Sequence, residues 1–169
     1  MNINKVHHIA VISSDYKRSL DFYTRILGLR IIAEHYREER KSYKTDLALG
    51  NEYIIELFSF PEPPARLTHP EAAGLRHLAF EVDSMEAAVR ELDNMQISHE
   101  PIRIDEYTQK RFVFFQDPDG LPIELYEKDY SSVFLCFILK KAAFVYFNCD
   151  RSHSLLFLQH VNQFKCKKE

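Results

Sequence analysis

Four residues in the 169-residue chain have the types and the spacing to hold a divalent cation: His8, Glu56, His77 and Glu124. His8-Ile-Ala-Val, leading to Asp15, is echoed by His77-Leu-Ala-Phe, leading to Asp83. Tyr53-Ile-Ile-Glu56-Leu-Phe is echoed by Leu121-Pro-Ile-Glu124-Leu-Tyr, and the His-to-Glu separations are 48 and 47 residues. Each half of the chain therefore supplies one imidazole and one carboxylate. A carboxylate among apolar neighbours is costly unless it meets a cation, a metal ion or strong donors. Two imidazoles and two carboxylates suit Zn²⁺, Ni²⁺, Co²⁺, Mn²⁺ or Fe²⁺ without choosing among them, and the two carboxylates would neutralise a divalent ion. Taken singly, each residue is more often a solvent-facing strand residue or a hydrogen-bonded core histidine. The repetition favours the metal.

The elements that must position these residues follow from the pattern around them. Residues 5–13 read as a strand, on which alternation puts Val6, His8, Ala10 and Ile12 on one face and His7 on the other. Asp15 is a helix cap before Tyr16–Leu27, where Tyr16, Leu20, Tyr23 and Leu27 recur at helical spacing and Gly28 supplies the stop. Strands are expected near 30–37, 43–49 and 53–59, with Gly50-Asn51 as a hairpin turn. The proline-rich segment 60–74 is a connection, since Pro61, Pro63, Pro64 and Pro70 cannot sit in a central strand. A strand over 76–82 follows, then Asp83-Ser-Met-Glu86 as a capping arrangement before a helix to about Met95. Strands near 97–103, 111–116 and 121–127, with Asp117-Pro-Asp-Gly120 as a turn, complete the second half. The order is βαβββ twice. The expected organisation is one domain over 1–128, with modules at about 5–60 and 75–128 joined by a linker at 61–74, and a C-terminal extension over 129–169.

Composition narrows the function. With 46% hydrophobic and 28% charged residues the chain reads as globular. Residues 1–128 carry 16 Lys and Arg against 22 Asp and Glu, a net of −6. An acidic body argues against nucleic acid as a partner, because binding phosphates requires a positive surface. Residues 1–8 lack the apolar run of a secretory signal and no stretch is long enough to span a bilayer, so a cytoplasmic protein acting on a small molecule is expected. Cys136, Cys149 and Cys166 all lie in the extension, which leaves the body without a thiol nucleophile or a disulfide framework.

Four stretches resemble the vicinal-oxygen-chelate superfamily, in particular its glyoxalase I-like members. These are His8-Ile-Ala-Val, Arg18-Ser-Leu-Asp-Phe-Tyr-Thr-Arg-Ile-Leu-Gly28-Leu, Gly74-Leu-Arg-His77-Leu-Ala-Phe-Glu-Val-Asp83 and Asp117-Pro-Asp-Gly-Leu-Pro-Ile-Glu124-Leu. Over residues 5–127 the body, including Glu56-Leu-Phe-Ser-Phe-Pro61 and Tyr107-Thr-Gln-Lys-Arg111-Phe, is also similar to a bacterial YaeR-like subgroup. The resemblance implies an α+β fold of paired βαβββ modules forming a curved mixed sheet, a homodimer, and one divalent metal ion on His8, Glu56, His77 and Glu124. It also implies a lyase or isomerase acting on a small α-oxo or α-hydroxycarbonyl compound through an enediolate, with glutathione or another thiol as possible co-substrate in a hemithioacetal. Glu124 is the expected base, with Glu56 a ligand that could serve the opposite face. Arg76, Lys110 and Arg111 could bind a substrate carboxylate, although an exposed basic residue is more often simply solvated, and Tyr36, Tyr43 and Tyr107 are more often packing residues than substrate contacts.

Rival activities of the superfamily are separated by position 56. Methylmalonyl-CoA epimerases typically place Gln there, and ring-cleaving dioxygenases and thiol-transferring resistance enzymes use three ligands. A metal-free, bleomycin-resistance-type protein that sequesters its ligand is the alternative of a different class. The extension does not resemble the family. Residues 132–147 are apolar around Lys140-Lys141, which suggests either an added dimerisation element or a non-family addition.

Overall fold

In the computed structural model, which describes residues 1–129, each half of the body builds one four-stranded sheet. The first half runs β1 (Ile9–Ser13), α1 (Tyr16–Asp21), β2 (Arg30–Arg37), β3 (Ser42–Leu49) and β4 (Glu52–Ser59). The second runs β5 (Leu78–Val82), α2 (Met85–Asn94), β6 (Arg103–Ile104), β7 (Arg111–Gln116) and β8 (Pro122–Glu127). Strand order is β1-β4-β3-β2 in one sheet and β5-β8-β7-β6 in the other. The first strand is parallel to the last in each sheet, and the remaining pairs are antiparallel. This is the α+β architecture of paired βαβββ modules expected from the repeat. Residues 1–128 form one unit; the readings made for the extension fall outside the described residues, apart from Asp129. Among the described residues no helix is long and apolar enough to cross a membrane.

Alternation builds the core. Ile55 and Leu57 on β4, and Ile123 and Leu125 on β8, join Val11, Leu47, Leu78 and Val113 in one apolar cluster with Phe22, Tyr23, Met85 and Leu92. Glu56 and Glu124 fall on the alternate positions, so both leave the sheet from the face opposite their apolar neighbours.

Local chemistry sets the helix ends. The Asp15 carboxylate accepts from the Arg18 N–H at 3.1 Å and starts α1. The expected helix to Leu27 is present but winds differently. After Asp21 it widens into a π-helical turn over Phe22–Ile26, and it stops at Gly28, whose φ of +70° is the left-handed conformation that glycine adopts freely. Both Phe22 and Tyr23 are buried in that turn. Before α2 the cap is Ser84 rather than Asp83: its hydroxyl accepts from the Ala87 N–H at 3.3 Å. The strand expected over 97–103 shrinks to β6, with an isolated bridge at His99. Pro101, which has no N–H to give, interrupts that stretch.

The Asp117-Pro-Asp-Gly turn fastens the halves together. Asp117 accepts from the N–H groups of Asp119 and Leu121 at 2.9 and 2.8 Å, and from the Tyr23 hydroxyl of the first half at 2.9 Å. Asp119 accepts from the Ser14 N–H at 3.1 Å, the Ser14 hydroxyl and, at 3.4 Å, the Ser19 hydroxyl. Burial pushes the Asp117 carboxyl up despite these donors, and burial together with Asp117 pushes the Tyr23 phenol up.

Candidate functional site

His8 and His77 each stand one residue before their strand rather than within it. The parallel pairings Ala10↔Glu56 and Ala79↔Glu124 carry the two glutamates to equivalent positions beside them. His8 Nε2 lies 3.2 Å from Glu56 Oε2, and His77 Nε2 lies 3.1 Å from Glu124 Oε2. The glutamate side chains are 13% and 12% exposed, so each pair is nearly closed over while its histidine edge remains open. Because residue 8 precedes the ladder, the strand-face argument that separated His7 from His8 does not hold in this structure. Their Nδ1 atoms are 2.8 Å apart, and the His7 ring stands edge-on to both His8 and Tyr53.

The surroundings of the pairs differ. Around Glu56, Lys44 Nζ lies 2.7 Å from Oε1 and 2.6 Å from Asp46 Oδ1. The Tyr53 hydroxyl donates to that same Asp46 oxygen at 2.9 Å, and the His8 ring stacks on Tyr53 with centroids 5.1 Å apart. Hydrogen bonds to Asp46 and Glu56 hold the Lys44 ammonium above its ordinary range. Burial opposes ionisation of Asp46, yet the donors Lys44 and Tyr53 together keep its carboxyl below the usual value. Around the second pair the neighbours are aromatic. The His77 ring is edge-on to Phe114 at 5.3 Å, and Phe112 lies against Phe114 and Tyr126. His77 Nδ1 is buried without a hydrogen-bond partner among the described residues.

Among the described residues no three His, Cys, Asp or Glu side chains converge as a metal-holding group. The four candidate ligands form two separate pairs. Each pair nevertheless fits half of a metal shell, because an imidazole nitrogen and a carboxylate oxygen approach as closely as two ligands of a common ion. Neither is a shell alone, since such ions bind three or four protein groups.

The substrate-contact candidates fare unequally. Arg111 is occupied structurally, with its guanidinium bound to Glu127 at 3.0 Å and to Glu86, tying α2 to β8. Tyr43 stacks on Tyr16 at 4.2 Å and is a packing residue. Tyr36 and Tyr107 are exposed, and Arg76, 4.0 Å from Glu71, is exposed too. A cleft of about 610 Å³ takes in Arg18, Arg66, Arg76, Arg103 and Phe114 and reaches His77. Lys44, Asp46 and Tyr53 escaped the sequence reading. A plain Gly50-Asn51 hairpin register would set Asp46 opposite Ile55; the irregularity between Leu47 and Ala48 shifts the ladder and places Asp46 opposite Glu56.

Comparison with known proteins bears on these pairs. A family model described as the Glyoxalase/Bleomycin resistance protein/Dioxygenase superfamily matches residues 5–125. The chain is 58% identical over 128 residues to the uncharacterized protein YaeR of Escherichia coli (strain K12), covering 76% of this chain and 99% of that one. It is 27% identical over 128 residues to Glyoxylase I 4 of Arabidopsis thaliana, covering 74% and 71% of the two. The crystal structure of a glyoxalase family protein from Enterococcus faecalis, 42% identical, superposes with a TM-score of 0.70 over 75% of this chain and all of that chain.

Proposed function

We propose that this chain, which belongs to the Glyoxalase/Bleomycin resistance protein/Dioxygenase superfamily, is a glyoxalase I-like, metal-dependent lyase or isomerase. Its substrate is a small α-oxo or α-hydroxycarbonyl compound, with the hemithioacetal of a thiol such as glutathione as the first candidate. The observation that carries this reading is the twin geometry: two His–Glu pairs at equivalent strand positions, with Nε2 to Oε2 distances of 3.2 and 3.1 Å.

His8, Glu56, His77 and Glu124 would hold one divalent ion. Since one chain offers them only as two pairs, the set is complete when the His8–Glu56 pair of one protomer meets the His77–Glu124 pair of a second in a homodimer. A bound divalent ion supplies Lewis acidity to a carbonyl oxygen and makes the neighbouring C–H more acidic. The protein's own part is to hold and move the proton. Glu124, with His77 Nε2 3.1 Å away and Phe114 alongside, is the carboxylate that takes it. Glu56 remains a ligand. The cleft beside His77 is lined by Arg18, Arg66, Arg76 and Arg103 together with Asp21, Glu71, Glu100 and Asp117, and its arginines are the groups that could meet the anionic end of such a substrate.

The test is metal analysis of the purified protein, followed by reconstitution with each candidate ion and assay on hemithioacetal, epimerase and thiol-transfer substrates side by side. Stoichiometric metal that is lost in the double variant Glu56→Ala, Glu124→Ala, together with hemithioacetal turnover, is the expected result. A protein that takes up no metal yet retains a ligand would favour the sequestering alternative, for which Lys44 already satisfies Glu56 without a metal.

A further inference from the structure

The two halves match in their candidate ligands and diverge in what stands beside them. On the first sheet Asp46 is the register partner of Glu56 and Lys44 that of Phe58. On the second sheet Phe114 is the partner of Glu124 and Phe112 that of Tyr126. A lysine and an aspartate thus occupy, in the first half, the positions that two phenylalanines occupy in the second. Residues two apart on a strand share a face, so both Lys44 and Asp46 lie on the face from which Glu56 projects. The contacts form a chain. Tyr53 donates to Asp46, Asp46 holds Lys44 at 2.6 Å, and Lys44 holds Glu56 Oε1 at 2.7 Å, while Glu56 Oε2 is turned toward His8 Nε2 at 3.2 Å. Among the described residues the side chain that meets the Glu124 carboxylate is His77.

We propose that Lys44 is a positioning residue for the metal centre: it tethers Glu56 by one carboxylate oxygen so that only the other is presented beside His8. The inference rests on the reading of His8, Glu56, His77 and Glu124 as ligands given under Proposed function. Lys44 does not oppose a dication with a bare charge, because Asp46 at 2.6 Å balances it and the pair is close to neutral. Its contribution is orientation, since a tethered carboxylate offers one oxygen in one direction and a free one can rotate, bind through both oxygens or leave. Loss of a partner that orients a metal ligand in this way typically costs about 10–100-fold in metal affinity or activity. The asymmetry also divides the labour between the two glutamates. Glu56 stays a ligand because Lys44 restrains it, and Glu124, beside phenylalanines, keeps the freedom to take a proton.

The experiment measures affinity of the full chain for Zn²⁺ and Co²⁺ by competition with a chromogenic chelator, together with the visible spectrum of the Co²⁺ form and a thermal melt. Lys44→Met is expected to bind both ions about 10–100-fold more weakly and to shift the Co²⁺ spectrum, with partial recovery in Lys44→Arg. Lys44→Gln, neutral but still a donor, is read alongside in case the methionine variant does not fold, and is expected to weaken binding in the same direction. Wild-type affinity and an unchanged Co²⁺ spectrum in the folded neutral variants would overturn the role of Lys44 and leave the metal reading intact. A wild-type protein that binds neither ion would remove both.

Discussion

At the scale of single residues, the two glutamates each meet a histidine, at 3.2 and 3.1 Å, yet they have different neighbours. Glu56 is bound on its far side by Lys44, and Glu124 is flanked by Phe114. If Glu124 is the base, Glu124→Gln keeps an oxygen donor at the site but cannot accept a proton. Turnover should then fall by about 10²–10⁴-fold while substrate affinity changes little, the pattern of a group that acts in the transition state. Glu56→Gln should instead weaken metal binding first, with activity partly recovered at high metal concentration. Steady-state kinetics at graded metal concentrations separate the two, and equal behaviour of both variants would count against the assignment of roles.

At the scale of elements, the Asp117-Pro-Asp-Gly turn joins the second half to the strand–helix junction of the first. Tyr23→Phe removes the hydroxyl that donates to Asp117 and leaves a buried carboxylate oxygen short of a donor, which costs about 1–3 kcal/mol. Denaturant unfolding measures it. The pH dependence follows from the raised carboxyl of Asp117, which burial pushes above its ordinary value. The folded state then binds the proton more tightly than the unfolded chain, so the contribution of Asp117 to stability is greatest in acid and declines as pH rises from the ordinary carboxylate range through the folded value. Measured against Asp117→Asn, the wild-type protein should therefore lose relative stability as pH increases across that window. A relative gain would contradict it. Arg111 belongs at this scale as well, since its ion pairs with Glu86 and Glu127 tie a helix to a strand and leave it no evident part in binding substrate.

At the scale of the whole molecule, the separation of the four candidate ligands into two pairs makes assembly the decisive question. Mixing His8→Ala, Glu56→Ala chains with His77→Ala, Glu124→Ala chains tests it. If sites form between protomers, a mixed dimer carries one site with all four ligands and one with none. Two inactive proteins refolded together should then regain metal binding and activity, up to a quarter of wild type if chains pair at random and the sites act independently. Sedimentation would test for the dimer, and failure to regain metal in a confirmed mixed dimer would place the site elsewhere.

The repeat in the sequence was sufficient for the fold and nominated four candidate residues. Alternating apolar residues, a capping aspartate and turn glycines are local signals, and doubling them left little freedom in the topology. His8 and His77 stood out as candidates because each adjoins a similar apolar run, and Glu56 and Glu124 because each interrupts one. Position alone did not reveal that both histidines stand before their strands, that Ser84 caps α2, or that Pro101 cuts short a strand, since these depend on where the hydrogen-bond ladder begins and ends. Only the tertiary structure brought Lys44, Asp46 and Tyr53 to Glu56, and only it divided the four candidate ligands into two pairs. The physical reason is distance along the chain. Strand and turn signals act within a few residues, whereas a charged contact across a sheet is fixed by the register of strands that the whole core holds in place.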